Sequence, residues 1–213
     1  MSIVLIFGDS ITYGAFDTEN SGWAGRLRNY LDEGSSEVFF ITYNLGVSGD
    51  NSSELLKRFE SECESRINDR LEEGESAYII FSIGINDSQC LNMEKKLRAP
   101  EKQFELNIQK LIELAKKFTS KIMFVGLAPV DEDRTVPIPW DTNKSYKNSN
   151  VKKYDQMIQD VCARNKIPFV EIFDKLSKLN FKDLLYDGLH PNTKGHEKIF
   201  EIVKNSIEEY FLE

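Results

Sequence analysis

Five apolar runs rich in Val, Ile, Phe and Tyr alternate with amphipathic stretches along the chain, and this alternation restricts the fold more than any other feature. The runs are Ser2–Phe7, Val38–Asn44, Ala77–Ser82, Lys121–Leu127 and Pro168–Ile172. Each reads as continuous rather than alternating, the pattern of a strand covered on both faces. Between them, apolar residues recur at helical spacing. The first set is Trp23, Leu27 and Tyr30 or Leu31, and the second is Leu55, Phe59, Cys63, Ile67 and Leu71. The clearest set is Phe104, Ile108, Leu111, Ile112, Ala115 and Phe118, which opens near Pro100, a residue favoured at a helix start. Val151, Tyr154, Met157, Ile158 and Val161 follow, and then Ile199, Phe200, Val203, Ile207 and Tyr210. Repeated strand–helix alternation predicts βαβ units, and so a three-layer α/β/α fold around a five-stranded parallel sheet.

Length and charge narrow the function. The 213 residues fit one domain, residues 1–213, large enough to bury a core without disulfides or metal. A net charge of -8 and the lack of basic clusters interleaved with aromatics argue against nucleic acid as a partner. Lys147, Lys152 and Lys153 come closest to such a cluster and read as a solvated helix face. Cys63, Cys90 and Cys162 are dispersed, which suggests reduced thiols rather than a disulfide framework. The first apolar run is too short for a signal peptide or a membrane span and has no basic stretch before it. The expected location is cytoplasmic, with no membrane span, and oligomeric state leaves no mark on the sequence.

Four short segments carry chemistry: Gly8-Asp9-Ser10, Asn44 to Asp50, Gly84-Ile85-Asn86-Asp87, and Asp187-Gly188-Leu189-His190-Pro191. The first three follow strand candidates. In a parallel sheet all carboxyl ends face one way, so topology predicts that they converge. A serine hydroxyl is a poor nucleophile unless a base lies within hydrogen-bond reach. His190 is one of only two histidines and the candidate base for Ser10, while Asp187 can fold back to bond its other ring nitrogen. Taken alone, Gly-Asp-Ser is a common turn and Asp-Gly a common surface bend. Together the residues supply nucleophile, base and orienter. His196 lies at helical spacing from Ile199, Phe200 and Val203 and reads as structural, with Asn192 as a cap for that final helix. Asp9 is expected to hold its turn, and Asp50 and Asp87 read as cap or turn residues.

The four segments, in this order, resemble the signature of the SGNH (GDSL) hydrolase superfamily over residues 8–191. The resemblance implies a flavodoxin-like fold, Ser10 as nucleophile, and an oxyanion hole made by the amides of Ser10 and Gly49 and the side chain of Asn86. Glycine at 49 leaves room for a substrate carbonyl beside its amide, and Gly46 is the weaker candidate donor. It also implies a small-molecule acyl ester as substrate. No zinc spacing, Walker loop or dinucleotide fingerprint is present, so no metal or cofactor is expected. The acidic triplet Asp131-Glu132-Asp133 reads as a solvated loop.

Related enzymes, as the resemblance implies, include lipases, arylesterases, thioesterases and carbohydrate O-acetylesterases, all served by one triad. The irregular stretch from Pro129 to Ser149 follows a strand and should border the site. It lacks a long aliphatic run, which favours short acyl groups, and its Trp140 and Tyr146 are candidates either for stacking on a sugar or an aromatic leaving group or for packing the loop down. A non-catalytic α/β binding module is the rival of a different class. A pure binder has no need of a base aimed at a serine.

Overall fold

The computed structural model describes residues 1–34, 39–67, 71–72 and 74–211. The chain opens with strand β1 (Ser2–Gly8), the single-turn helix α1 (Ser10–Tyr13), α2 (Gly22–Gly34), β2 (Phe40–Gly46) and α3 (Ser52–Ile67). It continues with β3 (Ser76–Ser82), the short strands β4 (Cys90–Leu91) and β5 (Lys96–Leu97), α4 (Glu101–Ala115) and β6 (Ile122–Val125). Then come α5 (Glu132–Thr135), β7 (Lys144–Ser145), α6 (Asn148–Asn165), β8 (Phe169–Val170) and α7 (Phe173–Ser177), with a 3-10 turn (Phe181–Leu184) before α8 (Thr193–Phe211).

The main sheet is wholly parallel and ordered β2-β1-β3-β6-β8, the doubly wound order of flavodoxin-like folds. α2 packs on α8, while α3, α4 and α6 form a second row, so helices flank the sheet. The central strands β1, β3 and β6 are buried almost throughout, as their continuous apolar runs predict. β2 differs: its residues alternate between buried and partly exposed because it is the edge strand. The expected start of that strand at Val38 lies outside the described residues. Leu71 stands beyond the end of α3 at Ile67, and Tyr210, expected in the apolar stripe of the last helix, is exposed. Phe118 follows the end of α4 and packs only partly against the core.

A second, antiparallel sheet, β5-β4-β7, joins the 90–97 segment to the long 129–149 stretch. That stretch, expected to be irregular, is therefore pinned at Lys144–Ser145 and also contains the one-turn helix α5. Among the described residues no helix is long and apolar enough to cross a membrane.

Asp155 on α6 is a buried carboxylate whose Oδ1 accepts the Leu127 amide at 2.7 Å. Burial pushes its pKa up to about 7; the Leu127 bond opposes the shift, Asp174 and Glu171 add to it, and Lys152 opposes it. Between the unfolded value of 3.8 and about 7, the folded chain holds a proton that the unfolded chain has lost. Stability therefore falls as pH rises through that window. Asp155→Asn keeps an acceptor for Leu127 and removes the titration. The variant is expected to lose less stability than wild type between pH 5 and pH 8, by on the order of 2 kcal/mol in urea melts. Parallel stability curves for the two proteins would contradict this account.

Candidate active site

Register brings the first three segments together. Gly8 at the end of β1 pairs with Gly46 of β2 and with Ser82 of β3, so all three strands release their loops from one rung. The strand order reverses here, and open α/β sheets form their ligand crevice at such a point. Only glycine fits at position 8, because a Cβ there would lie 2.0 Å from Thr12 Oγ1 and 2.4 Å from the Ser82 carbonyl. Asp9 then caps α1, its Oδ1 accepting the Ile11 amide at 2.9 Å. Burial pushes the Asp9 carboxyl up to about 7, with the Ile11 bond and the nearby His190 ring opposing.

Ser10 is the first residue of α1, and its Oγ lies 3.0 Å from His190 Nε2. His190 sits in a turn closed by the Leu185–Pro191 bridge and by the Tyr186 amide, which donates to the His190 carbonyl at 2.8 Å. Asp187 organises this turn with both carboxylate oxygens. Oδ1 accepts the amides of Leu189 and His190 at 2.9 and 2.8 Å, and Oδ2 lies 2.7 Å from His190 Nδ1. Burial acts to raise the Asp187 pKa, but the His190 ring and these amides outweigh it and hold the carboxyl below the ordinary range.

Gly49 lies on the loop after β2 with φ +87°, a backbone that side chains rarely tolerate. A Cβ there would meet no protein atom within 4 Å, so the space beside this residue belongs to the cleft. Neither the Gly49 amide nor the Ser10 amide donates to an acceptor among the described residues. Asn86 Nδ2 donates to the Asp50 carbonyl at 2.9 Å, while Oδ1 accepts the Tyr146 hydroxyl at 2.8 Å. The amide is thus fixed in orientation with its second N–H unspent. Ser10, Gly49, Asn86 and His190 together line a cleft of about 430 Å³.

The structure separates the two aromatic candidates. Trp140 is 54% exposed and walls the cleft, its ring 6.4 Å from the His190 imidazole. Tyr146 borders the same cleft but is 2% exposed, which fits the packing alternative rather than stacking on substrate. Its hydroxyl accepts from Gln89 Nε2 at 2.5 Å and donates to Asn86, which makes it a support for that amide. Arg98, at the end of the small sheet, also escaped the sequence reading. Its Nη2 donates to the Gly49 carbonyl at 3.0 Å and to Glu54 Oε2 at 2.9 Å, clamping the loop that carries the Gly49 amide.

The remaining residues take structural places. His196 is fully buried, its Nδ1 accepting the Trp23 amide and its Nε2 donating to the Ala15 carbonyl. Burial lowers its pKa against the opposing Ala15 bond. Asn192 Oδ1 accepts the Gly195 amide at the start of α8. Asp50 pairs with Arg58 at 2.8 Å, and Asp87 accepts the Ser52 amide at the start of α3. Lys182 bridges Asp131 and Asp133, neutralising much of the acidic triplet. Gly46 is held through its amide, which donates to Asn44 Oδ1.

Residues 6–198 match the model of the GDSL-like Lipase/Acylhydrolase family. The chain belongs to that family. GDSL-like proteins are lipases and acylhydrolases, so the coarse function is hydrolysis of ester bonds. No curated protein matches the sequence. Among solved structures, a lipase/acylhydrolase from Enterococcus faecalis is 22% identical with a TM-score of 0.73, covering 98% of this chain and 96% of that one. LAE5, an alpha/beta hydrolase enzyme from the metagenome of Lake Arreo, is 19% identical with a TM-score of 0.73, covering 96% and 94%. Axe2, an acetylxylan esterase from Geobacillus stearothermophilus, is 18% identical with a TM-score of 0.73, covering 96% and 93%. At these identities the likeness is one of fold. Catalytic mutants of Axe2 replace a serine, an aspartate and a histidine of that enzyme.

Proposed function

We propose that this GDSL-like chain, acting as one domain over residues 1–213, is a serine esterase that cleaves short-chain carboxylic esters through an acyl-enzyme on Ser10. The observation that carries the reading is the unbroken contact from Ser10 Oγ through His190 to Asp187, opening on a cleft with three unspent N–H donors. His190 Nε2 takes the Ser10 proton as Oγ bonds to the ester carbonyl carbon, and the carbonyl electron pair moves onto oxygen. The amides of Ser10 and Gly49 and the free N–H of Asn86 receive that oxyanion. Collapse of the intermediate breaks the bond to the alcohol oxygen, which takes the proton from His190. Water, deprotonated by the same nitrogen, then releases the acid and returns the proton to Ser10. Asp187 holds the Nδ1–H of His190 throughout and offsets the charge on the imidazolium.

A cleft shared with Arg98 and Lys144 suits a short acyl group better than a long aliphatic chain. Hydrolysis of p-nitrophenyl esters from acetate to palmitate tests this, with an optimum expected among the short acyl chains. An optimum at palmitate would overturn the short-chain reading. A carbohydrate O-acetylesterase is the second reading, favoured by exposed Trp140 and by the Axe2 fold; a thioesterase would use the same residues. The free thiols of Cys63, Cys90 and Cys162 support a reducing, cytoplasmic setting.

Asn86→Ala removes one oxyanion donor and is expected to lower kcat by about 10²–10³ with little change in KM. Tyr146→Phe leaves the donor in place but frees one end of its amide. The loss of one neutral hydrogen bond predicts a fall in kcat of about 3- to 10-fold. Steady-state kinetics on p-nitrophenyl acetate check both. A Tyr146→Phe effect confined to KM would remove Tyr146 from its supporting role.

A further inference from the structure

The alcohol half of the ester has a fixed side in this cleft. Its oxygen must reach His190 Nε2 to be protonated, while the carbonyl oxygen faces Gly49 and Asn86. Phe16 and Trp140 line the cleft near His190 together with Leu189 and Ile138, and Tyr186 backs Phe16. Phe16 lies 5.2 Å from the imidazole, Tyr186 stacks on Phe16 at 4.2 Å with 11° between planes, and Trp140 stands 6.4 Å from the same imidazole. These three rings are 43%, 57% and 54% exposed, so burial within the fold does not account for them. Phe16 also holds φ at +64°, a strained backbone for a bulky side chain, costing about 1–3 kcal/mol.

The rings are nevertheless held in place. The Ala15 carbonyl beside Phe16 accepts from buried His196, and the Ala15 amide donates to the Ser10 carbonyl at 3.0 Å. The Tyr186 carbonyl accepts from Arg134 at 2.8 Å, and its amide is bonded to His190 itself. The platform is thus joined to the nucleophile on one side and to the base on the other. A linear alkyl alcohol would cover little of such flat walls, whereas a ring with an apolar face would cover them well. Aromatic faces favour stacked or edge-on rings by about 0.5–1.5 kcal/mol beyond area burial.

The geometry points to a leaving-group subsite, formed beside His190 by Trp140 and by Phe16 with Tyr186 stacked behind it, that selects esters of ring-shaped alcohols, pyranosides or phenols, over esters of open-chain alcohols. This rests on the Ser10 esterase reading and adds the identity of the alcohol half.

The test compares kcat/KM for two pairs of acetates: a methyl xyloside monoacetate against glycerol monoacetate, and phenyl acetate against trifluoroethyl acetate. Each value is divided by that ester's alkaline hydrolysis rate, so that leaving-group acidity cancels. Wild type is expected to prefer the ring in at least one pair by about 10-fold, and Phe16→Ala and Tyr186→Ala to lower that ratio about 3- to 10-fold. A preference in the xyloside pair alone identifies a sugar, in the phenyl pair alone a phenol, and in both a general ring site. Because the readout is a ratio within each variant, a shared loss of activity does not mimic the effect. Trp140→Ala, on a separate loop, gives the same readout if the other two fail to fold. A wild-type ratio near one in both pairs, or ratios untouched by the substitutions, overturns the subsite and leaves the esterase standing. Failure to cleave any of the four esters or p-nitrophenyl acetate removes the esterase reading, and the subsite falls with it.

Discussion

Replacing Ser10 by alanine is expected to lower kcat for p-nitrophenyl acetate by about 10⁴-fold or more, leaving only the rate that oxyanion stabilisation and binding give to water attack. The expectation follows from what the hydroxyl does and does not touch. Among the described residues its only side-chain hydrogen bond is to His190 at 3.0 Å, so its loss breaks no other bond there. Asp9 still caps α1 through Ile11, and Asp187 still holds His190. The variant should therefore melt close to wild type and bind substrate with a similar KM, which separates a chemical defect from a folding defect. Pre-steady-state measurements with substrate in excess add a second check: wild type should release p-nitrophenol in a burst when deacylation is slower than acylation, and the variant should show none. Activity within tenfold of wild type would remove Ser10 as the nucleophile, and with it the acyl-enzyme.

The parts of this molecule that the sequence revealed share a physical reason. β1 and β3 are buried on both faces, so their continuous Val, Ile and Phe runs announce central strands without help from neighbours. Asp187 and His190 were legible as a local pair, a carboxylate three residues before a histidine, whereas Ser10 lies 180 residues from His190 and was joined to them only through the resemblance of the four segments. Convergence of the first three segments required only parallel topology, which the register of Gly8 with Gly46 and Ser82 displays. The two-residue strands β4, β5 and β7 are too short for any periodicity, so their sheet left no trace in the sequence. That omission left the two readings of Tyr146 undivided: its partners Asn86 and Gln89 lie about sixty residues away, joined to it across that small sheet. Arg98 was hidden for the same reason. The Phe16–Tyr186 stack depends on a positive φ and on side-chain exposure, neither of which a sequence displays directly.

Asp187→Asn is expected to cost about 10⁴-fold in kcat although it changes one atom, because the amide can be accommodated in only one orientation. In the native turn, Oδ1 accepts two backbone N–H groups, those of Leu189 and His190, while Oδ2 faces His190 Nδ1. An asparagine must place its oxygen at the first position, since an NH2 group there would oppose two donors. Its NH2 then points at Nδ1, which becomes an acceptor, and the ring proton moves to Nε2. That nitrogen now donates to Ser10 Oγ and has no lone pair with which to take the serine proton. The turn and the cleft survive, so KM and melting temperature should change little while kcat collapses. Asp187→Ala makes the complementary case: it orphans the two amides as well as the ring, so it should lose stability in addition to activity. Should Asp187→Asn retain more than a tenth of wild-type kcat, His190 would not depend on this tautomer, and the proton would have to leave Ser10 by another route.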